Sequence, residues 1–128
     1  MAIPRGFIRF SFKYVDLSHR KFRPHGRKAK YWLTLWCRLK AVSGVLWNDF
    51  LAGTGPSLRG HPIHWPETTE PDGFSGLNKQ LRGESAFQFS VSANKYGRVH
   101  GFLNDDTFYV VWLDPDHHLY RPGKGPKL

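Results

Sequence analysis

Cysteine is nearly missing from this chain: Cys37 is the only one in 128 residues, so no intramolecular disulfide can form and packing must hold the fold. A lone thiol suits a reducing compartment, and a cytoplasmic location is the expectation. No run approaches the roughly 18 uninterrupted apolar residues of a membrane span. The first residues, with Pro4, Arg5, Arg9 and Lys13 set among phenylalanines, lack the apolar block of a signal peptide, so no membrane partner is expected. A phosphate-cradling loop is also missing, because Gly53-Thr54-Gly55 is not followed by Gly-Lys-Ser/Thr. Metal ligands are present but poorly spaced. His61-Pro62-Ile63-His64 is interrupted by proline, and Asp114, Asp116, His117 and His118 surround Pro115 in a turn. Neither a metal nor a cofactor is expected.

Acidic residues are scarce as well. Ten Asp and Glu face 19 Lys and Arg, leaving a formal charge of +9. The first thirty residues hold Arg5, Arg9, Lys13, Arg20, Lys21, Arg23, Arg27, Lys28 and Lys30 against Asp16 alone. Arginine mixed with histidine and aromatic rings is a composition that grips phosphates and stacks on bases, which points to nucleic acid. An acidic membrane surface or an acidic protein would also answer the charge.

What the chain has in quantity is apolar and aromatic material, at 40% and 16%. That is enough at this length for one packed domain, expected over residues 1–121, with a disordered Pro/Gly tail at 122–128. Phe10, Phe12 and Tyr14 alternate with Arg9, Ser11 and Lys13, the pattern of an N-terminal edge strand. Residues 16–30 show no periodicity and form a basic loop or mobile arm, with Arg20, Lys21, Arg23, Arg27, Lys28 and Lys30 as candidate RNA contacts.

From Ala29 the spacing becomes helical. Tyr31, Trp32, Leu35, Trp36, Leu39 and Val42 fall on one stripe and read as core, with Cys37 at its margin. Leu46, Trp47, Phe50 and Leu51 mark a second short helix, and Phe74, Leu77 and Leu81 a third. The last third, Phe87 to Ser92, Arg98 to Leu103 and Phe108 to Asp114, reads as a three-stranded antiparallel meander with hairpin turns at 93–97 and 104–106. The fold class is therefore α+β: a strand, two helices, then the meander.

Several motifs occur in order: Gly76-Leu77-Asn78-Lys79-Gln80-Leu81 with Gly83, an aromatic-led strand from Phe87, Gly97-Arg98-Val99, Asn104-Asp105-Asp106 and His118-Leu119-Tyr120. In this order they resemble the RelE and ParE toxin superfamily, most closely its YoeB-type ribonucleases. The resemblance covers residues 74–120 by motif and the first half by order of elements. It implies a RelE-like fold and metal-independent cleavage of messenger RNA by the ribose 2′-hydroxyl, in many relatives on the ribosome. The partners it implies are RNA and a small acidic antitoxin of a type II toxin-antitoxin system.

By the same resemblance Arg98 would clamp the phosphate, His118 and Tyr120 would move protons or stack on a base, and Lys79 would add charge. Ser90 stands, with Phe89, where such chains carry paired arginines, and Ser75 where a base glutamate is expected. Ser90 and His100 join the candidate RNA contacts, His100 being equally suited to a structural role. The ParE branch implies an alternative, a non-catalytic domain binding nucleic acid or a nucleoprotein.

Overall fold

A computed structural model describes residues 6–52, 58–93 and 95–121. The expected tail at 122–128 and Gly53-Thr54-Gly55 lie outside the described residues. The meander strands are β3 (Ser85–Ser90), β4 (Arg98–Asn104) and β5 (Thr107–Asp114), antiparallel neighbours in that order. Two short strands widen the sheet to five, in the order β1-β5-β4-β3-β2. β1 (Arg9–Ser11) runs parallel to β5, and β2 (His61–Pro62) runs antiparallel to β3. The expected three-stranded meander is thus the middle of a mixed five-stranded sheet. A two-residue strand has no alternation to read, and a parallel partner so distant in sequence leaves no local signature. β1 does lie at an edge, but it ends at Ser11, short of Tyr14.

Period-2 alternation gives each face its character. Phe87, Phe89, Val99, Val110 and Leu113 pack on one face against the helices. Gln88, Ser90, Arg98, His100, Trp112 and Asp114 hold the alternate positions, with Phe22, Ile63, Phe74, Phe102, Leu119 and Tyr120 forming a second apolar cluster.

Helix α1 (Ala29–Val42) begins where its periodicity changes and buries Tyr31, Leu35, Leu39 and Val42. Trp32 and Trp36, expected in the core, are 41% and 67% exposed. At about 100° per residue they sit on the shoulder of the buried stripe, too far round to meet the sheet. Cys37, expected at the margin of the stripe, is exposed because it falls nearly opposite the buried residues on the outer side of the helix. Arg38, expected outside the stripe, is half-buried and donates from Nε to the Val91 carbonyl at 3.0 Å. Helix α2 (Trp47–Leu51) buries Trp47 and Phe50. Helix α3 is a single turn (Lys79–Arg82), capped by the Asn78 side chain accepting from Leu81 N; Phe74 and Leu77 pack from the turns before it.

The basic segment is irregular, as its composition predicts, but it is not a free arm. Phe22 is fully buried, its ring centroid 4.6 Å from that of Trp112, and Asp16 N donates to the Val111 carbonyl. Lys21 donates to the Thr69 carbonyl and to Glu70. The segment is therefore a strap laid across the second face of the sheet.

Candidate active site

The end of β4 approaches β5 so closely that only glycine fits before it. Gly97 has φ +67°, and a Cβ there would stand 1.8 Å from the Asp114 carbonyl oxygen. Arg98 follows, opposite Ser90 on β3 and Asp114 on β5. Two residues further along, His61, Gln88, His100 and Trp112 line up across four strands. The register shift at His100/Gly101 inserts an extra residue in β5, which turns both Val111 and Trp112 into the second cluster.

Asp114 is the anchor of this arrangement. It is 1% exposed; Oδ2 accepts from His100 Nε2 at 3.0 Å and from Leu119 N at 2.9 Å, and Oδ1 accepts from His118 N at 2.8 Å. Burial pushes its carboxyl up, but the His100 bond and charge and the two backbone N–H groups together outweigh this and hold it below the usual carboxylate range. An ionised Asp114 makes His100 Nε2 the donor, and His100 Nδ1 finds no protein partner.

The turn that Asp114 clamps carries His117 and His118. His117 has φ +56°, unusual for a residue with a side chain. Its side chain reaches solvent, yet crowding by its neighbours, then the Arg98 charge, push its imidazole down to about 4, with Asp114 pulling the other way. His61 is also shifted down, chiefly by burial, then by the charges of Arg98 and His100, against the upward pull of its bond to the Pro62 carbonyl. Its Nδ1 contacts that carbonyl at 2.7 Å and its Nε2 contacts Gln88 Nε2 at 2.8 Å, which assigns the proton to Nδ1. Arg98 is half-buried; burial first and the neighbouring Arg59 second lower it, without removing its charge. The result is a cationic Arg98 whose charge helps keep two nearby imidazoles neutral at pH 7, a setting fit to receive an anion and to accept a proton.

Buried polar atoms without a protein partner gather here: Gln88 Oε1, Ser90 Oγ, Arg98 Nε and His100 Nδ1. In an ordinary core such atoms would be paired or replaced, since each costs about 1–3 kcal/mol.

Of the residues expected from sequence, Arg98 lies at the centre. His118 sits on the clamped turn with its side chain exposed, its carbonyl accepting from Thr69 Oγ1. Tyr120 is 7% exposed; its hydroxyl accepts from His64 N at 2.9 Å, and its ring lies 5.9 Å from that of His61. Burial raises its phenol, with Glu67 adding to the rise and the His64 N–H opposing it. Ser90 and His100, expected as RNA contacts, are fully buried and so have no surface to offer. Lys79 is exposed on α3, which feeds the Ser85 end of β3, opposite to the Ser90 end that faces Arg98.

Among the strap cations, Lys21 is committed to Glu70, Arg20 lies 3.9 Å from the same carboxylate, and Arg27 pairs with Asp116; Arg23, Lys28 and Lys30 are exposed. His61, Arg59, Gln88, Asp114 and His117 belong to the cluster although sequence reasoning did not place them in an RNA site. Parity was the available signal for two of them: Gln88 and Asp114 occupy the positions opposite in phase to Phe87 and Leu113. Among the described residues, no group of three or more His, Cys, Asp or Glu is placed to hold a metal ion, and no helix is long and apolar enough to cross a membrane. Comparison with protein-family models, with curated proteins and with solved structures found no match.

Proposed function

We propose that this chain is an endoribonuclease that cleaves RNA by attack of a ribose 2′-hydroxyl on the adjacent phosphate, acting as a cytoplasmic toxin of the RelE type. One observation carries the reading: the half-buried Arg98 lies opposite Asp114 on the sheet and is near enough for its charge to push down both His61 and His117. Arg98 and Arg59 would hold the charge of the pentacoordinate phosphate. His117, unprotonated at pH 7, would take the 2′-hydroxyl proton. His118 on the same turn and Tyr120 beside His61 are the candidate acids for the 5′-oxygen. Because the nucleophile belongs to the RNA, products end in a 2′,3′-cyclic or 3′-phosphate. Messenger RNA, on the ribosome or free, and a small acidic antitoxin are the partners this reading carries.

The test is cleavage of RNA by the purified protein, with the product ends mapped, in EDTA and with Arg98→Ala. Cleavage in EDTA that leaves cyclic phosphate ends and falls about a hundredfold or more in Arg98→Ala supports the reading. Intact RNA with the wild-type protein, free or with ribosomes, overturns it. A second reading keeps the site but not the chemistry. Ser90 and His100 are buried, Lys79 lies at the far end of the sheet, and the Tyr120 hydroxyl is engaged with the backbone, which favours a non-catalytic binder of nucleic acid or nucleoprotein. That reading predicts RNA retention, weakened by Arg98→Ala, with no new ends.

A further inference from the structure

The helix-covered face of the sheet carries an apolar groove that the proposed nuclease site does not use. Phe12, Leu17, Trp32 and Trp36 are 46%, 50%, 41% and 67% exposed, and all four line one groove of about 310 Å³. Its floor is aliphatic, formed by Leu35, Leu39, Val99, Val110 and Leu113. Leu33, 65% exposed, lies three residues before Trp36 on the outer surface of α1. Scattered apolar residues on a surface are ordinary, but large ones converging on one concavity mark a contact site.

The charge around the groove says what fits it. Lys28, Trp32, Trp36 and Lys40 recur every fourth residue, so exposed cations bracket the tryptophan pair at both ends of the helix. From residue 17 to residue 48 the chain contains no Asp or Glu. Asp16, next to Leu17 in sequence, accepts from Ser18 N and Ser18 Oγ, and Asp116 is paired with Arg27. A second copy would bring the same cations against these, which disfavours self-association. Exposed tryptophans can stack on nucleobases, but an aliphatic floor with Leu17 beside it presents no face for a base. We propose that this groove docks an acidic amphipathic helix of a partner protein, its apolar residues seated over Leu35 and Leu39 and its carboxylates facing Lys28 and Lys40. The inference does not rest on the nuclease reading, since the groove lies on the opposite face of the sheet from Arg98.

The probe is a synthetic helical peptide with leucines at i, i+3, i+4 and i+7 and glutamates elsewhere, together with a peptide of the same composition whose leucines are scrambled. The first should blue-shift the tryptophan emission of the whole protein. By anisotropy of a labelled peptide it should bind at least tenfold tighter than the scrambled one. Trp36→Ala with Leu33→Ala, both exposed positions, should weaken it at least tenfold with unchanged melting and unchanged RNA cleavage. Equal binding of the two peptides, or equal binding to the double variant, overturns the proposal by reducing the contact to charge alone. Displacement of the peptide by a single-stranded oligonucleotide that quenches the same tryptophans makes the groove a base-stacking platform instead. Dimerisation in solution that Trp36→Ala abolishes assigns it to a second copy.

Discussion

Phe89 and Ser90 are adjacent, equally buried, and belong to different kinds of interior. On the Phe89 face the sheet meets α1 and α2 through aromatic and aliphatic side chains, with the Phe89 ring 5.4 Å from Phe108 and 5.7 Å from Phe50. On the Ser90 face it carries an arginine, histidines and a carboxylate beneath a basic strap, with four buried polar atoms left without protein partners. Both faces bury an apolar cluster, but only the first is apolar along its strands. The other tolerates an arrangement that costs stability, and such a cost points to a role in function.

Substitutions on each face separate these roles. Phe89→Ala should produce the largest effect, about 3–5 kcal/mol of destabilisation from the cavity it leaves, read by denaturant melting. Asp114→Ala comes next. It strands His100 and the N–H groups of His118 and Leu119, and should cost about 3 kcal/mol while releasing the turn that carries His117; a loss below about 1 kcal/mol would mean that Asp114 is no anchor. Ser90→Ala, one position from Phe89, should change stability by less than about 0.5 kcal/mol or raise it slightly, because it removes a buried hydroxyl that has no partner. Destabilisation approaching that of Phe89→Ala would erase the contrast between the faces.

A further contrast lies in pH. Folded His117 resists protonation down to about 4, whereas an unfolded histidine takes its proton near 6.5. The unfolded state therefore binds more protons between these values, and stability should decline as pH falls from about 6.5 towards 4. His117→Asn, which tolerates a positive φ, should flatten that part of the melting profile; an unchanged profile would assign the decline to other groups.

Periodicity made much of the scaffold readable. Helix α1 starts at Ala29 because the spacing changes there, and the meander strands follow runs of alternating or apolar residues bounded by turn residues. The exposed Trp32 and Trp36 show the limit of that signal. A stripe drawn from residue type alone widens to include every aromatic, while the sheet contacts only the residues within reach. Arg98 was legible through the Gly97-Arg98-Val99 motif at the start of its strand. His61 was not, since only pairing with β3 brings it to Gln88, and β2 is too short to announce itself. Asp114 reads locally as a turn residue before proline; its three hydrogen bonds form only once β4 and the 117–119 turn arrive.

The parallel pairing of β1 with β5 has a consequence in time. Arg9–Ser11 finds its partner at Thr107–Tyr109, about a hundred residues later, and the strap seats Phe22 on Trp112. At about 5–20 residues per second, a ribosome would hold β1 and the cationic strap without their platform for several seconds or longer. During synthesis α1, whose backbone hydrogen bonds are local, can form early, but the sheet it packs against, which carries Arg98 and Asp114, cannot close until its last strand emerges. A chain shortened before Thr107 would present its cations with no seated strap and no completed site.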